Sequence, residues 1–258
     1  KDSQDEEMTT LFVGRLYLTH STATPTIASV CDHKGEDEKI INRLTSFIKE
    51  TGLPRLVYKS DQESVLCKMT EEALRRTGRR GDPLDPETFD SGLVQAVNEH
   101  SAVGESASNG KAERAIQAVE DLLRTLKSAL QERLGARIPT SHPVVRWMVE
   151  HVATILNRFS VSKDGQTAYS ALHGKRSADS MVEFGEKVFF FMPKRLRAKL
   201  DMRWKLGIFL GLSPNSNEKM IALANGSVIK ARSIARVVEA SRWDLIAVNK
   251  IRGIPGDL

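Results

Sequence analysis

The sequence predicts an α/β fold followed by a small all-β barrel. Three observations lead there. A long amphipathic stretch runs from Asn109 to about Leu134. Strand-like and helix-like runs alternate ahead of it. Behind it, from Lys187 on, short apolar runs separated by turn residues recur at about ten-residue spacing.

Residues 1–8 are polar and acidic and read as a loop or frayed end. Thr10–Leu18 and Thr24–Cys31 read as two strands joined through Ser21 and Thr22. Glu36–Glu50 is a helix with Ile40, Ile41, Leu44, Phe47 and Ile48 on one face and Gly52 at its end. Arg55–Ser60 is a third strand, followed by a helix from about Gln62 to Arg76. Gly78–Ser91 is rich in Gly, Pro and charge and reads as a loop. Leu93–Asn98 is a fourth strand, and the small residues of Ser101–Ser108 suit a mobile lid. In the long helix, Ala112, Ala115, Ile116, Val119, Leu122, Leu123, Leu126 and Leu130 keep the spacing of one buried stripe. Ser108 or Asn109 caps its start and Gly135 closes it. Ser141–Phe159 is a further helix, and Thr167–His173 a last helical turn.

The pattern changes near Ser177–Glu183. This divides the chain into residues 1–178, a barrel over 183–240 and a weakly patterned tail over 241–258. Lys187–Met192, Gly207–Leu212, Met220–Leu223 and Val228–Ala231 are the barrel strands, with Asn225-Gly226 as a hairpin signal.

The chain has 258 residues, 40% of them hydrophobic. No apolar run approaches the ~20 residues of a membrane span, and no signal-peptide pattern is visible. Cys31 and Cys67 cannot build a disulfide framework or a Cys-rich zinc site, and read as small buried hydrophobes. The net charge of +5 is uneven. From Glu183 onward 14 Lys+Arg stand against 7 Asp+Glu, whereas the rest carries 24 against 26. A basic C-terminal third points to a polyanion, nucleic acid being the usual one, or to a solvated basic surface.

Two acids stand out. Asp61 falls at the C-terminal end of the third strand, where open α/β sheets place ligands; it suits equally the cap of the next helix. Glu113 lies in the first turn of the long helix, beside Ala112 and three before Ile116. That spacing puts it on or next to the inward stripe, with Gln117 and Glu120 on the same side. Such a carboxylate either complements the helix dipole, at a few tenths to about 1 kcal/mol, or holds a metal.

The element order and two of its blocks resemble the catalytic core of retroelement integrases, a ribonuclease-H-like fold. Leu56-Val57-Tyr58-Lys59-Ser60-Asp61 looks like the strand bearing that family's second catalytic carboxylate. Ser108-Asn109-Gly110-Lys111-Ala112-Glu113-Arg114 is similar to the Asn-Gly-x-Ala-Glu-Arg block bearing the third, and is close to its form in copia-type long-terminal-repeat retrotransposons. Phe184–Val188 and Gly207–Gly211 resemble the small barrel that follows the copia core. The resemblance runs from about Thr9 to Val237. It implies a ribonuclease-H-like mixed sheet flanked by helices, DNA as partner, and a homo-multimer acting in the nucleus. It also implies Mg²⁺ or Mn²⁺ held by Asp61 and Glu113 for phosphoryl transfer, with Asn109, Gly110, Lys111, Arg114 and Gln117 in support. Neither a membrane nor a small-molecule cofactor is expected.

One departure bears on activity. The family places a first carboxylate on an opening strand, with two more strands before the first helix. Here two strands precede Glu36 and neither carries an inward acid. Asp2 and Asp5 lie in no strand pattern, and Asp32 ends the wrong strand. The missing strand and its Asp are expected upstream of Lys1. Two carboxylates hold two metals poorly, so an impaired integrase is expected. The alternative is a decayed or truncated, non-catalytic fragment that still binds nucleic acid. By the resemblance, the Pro193–Lys205 stretch is a loop between the first two barrel strands that contacts phosphates through Lys194, Arg195, Arg197, Lys199, Arg203 and Lys205. Otherwise it is a solvated loop with Trp204 covering the barrel core.

Overall fold

The computed structural model describes residues 10–32, 35–53, 55–60, 63–77, 95–100, 110–177, 182–192, 198–200, 202–213 and 216–257. The readings made for Asp61, Gly78–Ser91, Ser101–Ser108, Asn109, Lys194, Arg195 and Arg197 lie outside them, as do Asp2 and Asp5.

Strands β1 (Leu11–Arg15) and β2 (Thr26–Val30) pair antiparallel, from Leu11↔Val30 to Arg15↔Thr26. They are shorter than the apolar runs because the chain turns after Arg15, where the Leu16 N–H donates to the Pro25 carbonyl at 2.8 Å. Helix α1 (Glu38–Thr51) starts at Asp37, whose carboxylate accepts from the backbone N–H groups of Lys39 and Ile40. Strand β3 (Arg55–Ser60), helix α2 (Ser64–Thr77) and strand β4 (Gln95–His100) form a parallel unit, with Arg55↔Gln95 through Ser60↔His100 in register. Helices α3 (Gly110–Leu134), α4 (Pro143–Phe159) and α5 (Ala168–His173) follow.

Alternation sorts the strand side chains between two helical layers. Leu11 and Val13 join Ala28, Val119, Val149 and Val152 on the α3–α4 side. Phe12, with Leu56 of β3, joins Ile40, Ile41, Leu44, Met69 and Ala73 on the α1–α2 side. The result is mixed α/β. Among the described residues β1–β2 and β3–β4 are separate ladders. Asn157 of α4 holds β2 from its far edge, its side-chain amide bonding both the N–H and the carbonyl of Thr26 at 2.7 Å.

The C-terminal part is one antiparallel sheet of β5 (Lys187–Phe191), β6 (Trp204–Leu212), β7 (Lys219–Ala222), β8 (Val228–Ala231) and β9 (Ile234–Arg236). The pairing order is β8-β7-β6-β5-β9. Val188, Phe190, Phe209, Ile221, Ala231 and Ile234, drawn from all five strands, meet in one cluster, so the sheet curls round its own core. Among the described residues no β8–β9 pair closes it into the expected barrel. The basic stretch reaches into a strand. Trp204 and Lys205 open β6, pairing with Phe191 and Phe190, because the Met192 N–H donates to the Arg203 carbonyl at 2.8 Å and ends the hairpin connection there.

The sheet does not stand apart from the helices. Ile208, Leu210, Met220 and Val228 share a cluster with Leu130, Val144, Val145, Trp147 and Met148 of α3 and α4. The tail over 241–258 belongs to that cluster too, a correction to its weak patterning. Helix α6 (Leu245–Asn249) contributes Val248, and Ile251 beyond it is fully buried. The Trp147 indole N–H donates to the Gly253 carbonyl at 2.7 Å. In the β7–β8 hairpin, Gly226 (φ +86°) accepts from the N–H groups of Arg252 and Gly253 at 2.9 and 3.1 Å.

His151 of α4 faces the sheet between Phe184 and Phe209, with ring centroids 5.2 and 5.9 Å away. Strand β6 shifts register between Phe209 and Gly211, and a Cβ on Gly211 would lie 3.0 Å from His151 Nδ1. Only glycine lets the strand approach this ring so closely. Burial pushes the imidazole down to about 4.

Three expectations can be measured. A Cβ at Gly226 would sit 2.1 Å from the Lys250 carbonyl. Gly226→Ala should therefore lower stability by about 2 kcal/mol or more in denaturant titrations. Gly135→Ala, at φ +63° with open space around it, should cost about 1 kcal/mol. His151 gives a pH dependence. The unfolded imidazole protonates near pH 6.5, the folded one near 4, so the unfolded state binds more protons between them. Stability due to His151 is complete above about pH 6.5 and falls by about 3 kcal/mol as pH drops to 4. Glu50 and Glu150, whose carboxyls burial pushes up, act in the opposite sense. The histidine contribution is thus read as the difference between wild type and His151→Leu, which should lose that acid-side slope.

Candidate nucleic-acid interface

Two groups of sequence-selected residues fall within the described structure, at the start of α3 and at the start of β6.

The inward stripe of α3 holds only from its second turn. Ala115, Val119 and Leu130 are buried, and Leu122, Leu123 and Leu126 are half-buried. Ala112, Glu113, Ile116 and Gln117 are exposed. Residues two apart on a helix point about 200° apart, so burying Ala115 turns both Glu113 and Gln117 to the far side. The inward aim expected for Glu113 is thereby corrected. Ala112 and Ile116 suggested it, but neither is buried. Glu120 pairs with Arg124 at 2.6 Å along the helix surface.

Gly110 is the first residue of α3, and this end of the helix is fastened beside β1. The Tyr17 hydroxyl donates to the Lys111 carbonyl at 3.2 Å, while the Lys111 ammonium lies 4.8 Å from the Tyr17 ring centre. Arg114 donates from Nε to the Gly110 carbonyl at 2.9 Å. Neither cation is ion-paired among the described residues. Glu113 thus stands exposed in the first turn, with one neighbouring cation over the Tyr17 ring and the other on the Gly110 carbonyl. Asp61 lies outside the described residues. Among the described residues no three of His, Cys, Asp and Glu gather as a metal site would require.

Asp32, the acid at the end of β2, is engaged elsewhere. Burial raises its carboxyl, but hydrogen bonding and charge from Arg146, with Lys39 in support, outweigh that and hold it below the usual range.

At the start of β6, Lys199, Arg203 and Lys205 are all exposed and none is ion-paired among the described residues. Trp204 does not cover the core. It is 43% exposed and meets Phe191 edge-on at 5.6 Å between ring centres. Phe189 and Leu206 are directly paired neighbours on the same strands and are exposed as well. Leu200 and Met202 add 97% and 78% exposed side chains alongside. This aromatic and aliphatic surface was not picked out in the sequence. Its signal is the alternation in Val188-Phe189-Phe190-Phe191, where Val188 and Phe190 go inward and the others outward. Cations around exposed aromatic rings are what a phosphodiester with accessible bases can engage, by charge and by stacking.

No family model matches the chain, and no curated protein matches it. Among solved structures, a chain of a simian T-cell lymphotropic virus intasome, determined by cryo-electron microscopy in complex with PP2A regulatory subunit B56 gamma, is similar to this one. The similarity covers 88% of this chain and 77% of that chain, at 11% identity and a TM-score of 0.39. A likeness at that level leaves function to the chain's own residues. No helix among the described residues is long and apolar enough to cross a membrane.

Proposed function

We propose that this chain is a DNA-binding, integrase-like core of the copia retrotransposon type, with metal-dependent phosphoryl transfer impaired. The observation that carries the reading is the surface at the start of β6. Lys199, Arg203 and Lys205 are exposed and free of acidic partners among the described residues, around the exposed Phe191–Trp204 pair. The Asn109–Arg114 block and the strand leading to Asp61 supply the integrase part, by sequence resemblance. A homo-multimer, and the nucleus as the place of action, belong to the same reading.

The ion the resemblance implies, Mg²⁺ or Mn²⁺, would take its oxygen donors from Asp61 and Glu113. A centre of two metals needs more negative charge than two carboxylates supply, because each cation keeps too few fixed ligands to hold an in-line geometry. The identified donor set therefore does not fit such a centre. DNA binding is retained in this reading, and strand transfer is not.

Two measurements test this. In fluorescence anisotropy with a labelled DNA duplex, affinity should fall more than tenfold between about 50 and 200 mM salt. Replacing Lys199, Arg203 and Lys205 together by Gln should weaken binding to all sequences and reduce the salt slope by about 3. Salt-independent affinity would overturn the DNA reading. In a strand-transfer assay with Mg²⁺ or Mn²⁺ the chain should give no product above background. Metal-dependent product that Glu113→Gln abolishes would overturn the impairment.

A further inference from the structure

A cavity of about 380 Å³ opens where α1, α4 and the C-terminal sheet meet. Its wall carries Lys39 and Arg43 from α1, Arg146 and Glu150 from α4, and Lys230 from β8. Four cations thus stand against one carboxylate. They are not equally neutralised. Arg146 is ion-paired with Asp32, and Lys39 reaches Asp32 and Asp257 at 3.5 and 3.4 Å. Lys230 makes no ion pair among the described residues.

Arg43 is the informative member. Its Nε is buried and has no hydrogen-bond acceptor. The nearest acid, Glu150, holds its Oε1 at 3.8 Å, beyond hydrogen-bond reach. That oxygen already accepts from the Ser29 hydroxyl at 3.3 Å. Burial also pushes the Glu150 carboxyl up, against the opposing charge of Arg43 and the Ser29 hydrogen bond. A guanidinium N–H taken out of water without an acceptor is costly, so the fold leaves Arg43 a cation that its own residues do not fully compensate.

We propose that this cavity binds a small phosphate-bearing anion, with Arg43 and Lys230 as its cationic contacts. Cations that converge from a helix of one layer and a strand of the sheet suit a tetrahedral group, whose oxygens point in several directions at once. The planar guanidinium of Arg43 can meet two of them. The cavity is larger than phosphate alone and lies at the small end of the range for small-molecule sites. It leaves room for a substituent on the phosphate, which makes a phosphomonoester the fitting class. This inference is independent of the DNA reading, because none of the exposed cations around Trp204 lines the cavity.

The test is calorimetric titration of the whole chain with inorganic phosphate, with a nucleoside monophosphate and with the same nucleoside unphosphorylated, at matched ionic strength. Saturable binding of both phosphate-bearing probes, and none of the bare nucleoside, is expected. A monophosphate that binds tighter than phosphate assigns the site to monoesters; equal binding assigns it to the free ion. Arg43→Gln and Lys230→Gln should each weaken binding tenfold or more. Should Arg43→Gln fail to fold, Lys230→Gln decides, since that side chain is exposed on β8. The proposal is overturned if both variants bind like wild type, if phosphate does not bind, or if sodium chloride at equal ionic strength gives the same heats.

Discussion

Helix α4 has no face it can leave in water. Val144, Val145, Trp147, Met148, Val149, Val152 and Ala153 are all buried, and they point round most of its circumference. At about 1.5–3 kcal/mol for each large side chain taken from water, one neighbouring layer cannot satisfy them all. The structure answers with two. Val149, Val152 and Ala153 go to β1–β2, and Val144, Val145, Trp147 and Met148 go to the C-terminal sheet and the tail. The change of pattern near Ser177–Glu183 is therefore a change of element type along the chain and not a break in packing. The same demand explains why Trp147 reaches Gly253, and why the last described turns are held down at Gly226.

Burying a helix all round also buries its polar residues. His151 and Arg158 are almost wholly covered, and the Glu150 carboxylate is half-buried beside Arg43. Each meets the cost differently. Arg158 donates to Asn217 at 2.9 Å and to Ser177 at 3.1 Å, with its guanidinium over the Tyr169 ring. His151 stays neutral between aromatic rings, in the space opened by the Gly211 bulge, although its Nδ1 has no hydrogen-bond partner among the described residues. Arg43 and Glu150 reach neither solution fully, since the pair is too far apart for a hydrogen bond. A polar group left in that condition marks a place where the fold's own residues do not complete the chemistry.

The elements that were legible in the sequence are those whose period is carried by large residues. In α1, Ile40, Ile41, Leu44 and Ile48 are buried as their spacing requires. The β3 run was bounded by Pro54 on one side and by the following helical pattern on the other. Illegible features had weaker carriers. Ala112 looks apolar but costs little to expose, so it misplaced the stripe at the start of α3 and with it the aim of Glu113. Three residues, Ile234–Arg236, are too few to show alternation, yet they pair with β5. Trp204 and Lys205 sat within a basic run that resembled a loop, although backbone pairing makes them strand. The cavity cations are far apart in sequence, from Lys39 to Lys230, and only packing on α4 brings them together.

The chain's positive charge thus divides into two populations with different physics. Around Trp204 the cations are in water, where attraction to a polyanion is long-ranged and screened within about 8–10 Å at moderate salt. Their contribution scales with the number of phosphates met and carries little discrimination between sequences. At the junction of α1, α4 and the sheet the cations are partly desolvated, two of them already paired with Asp32. There an anion must give up its own hydration to enter, so geometry and hydrogen bonding decide what is accepted, and salt has less effect. Net charge alone, +5 over the whole chain, hides this division. It arises because α4 needs cover on both sides. The sheet that closes over it carries Lys230 into the cavity wall, while at the start of β6 the same face runs on into the exposed Phe191 and Trp204.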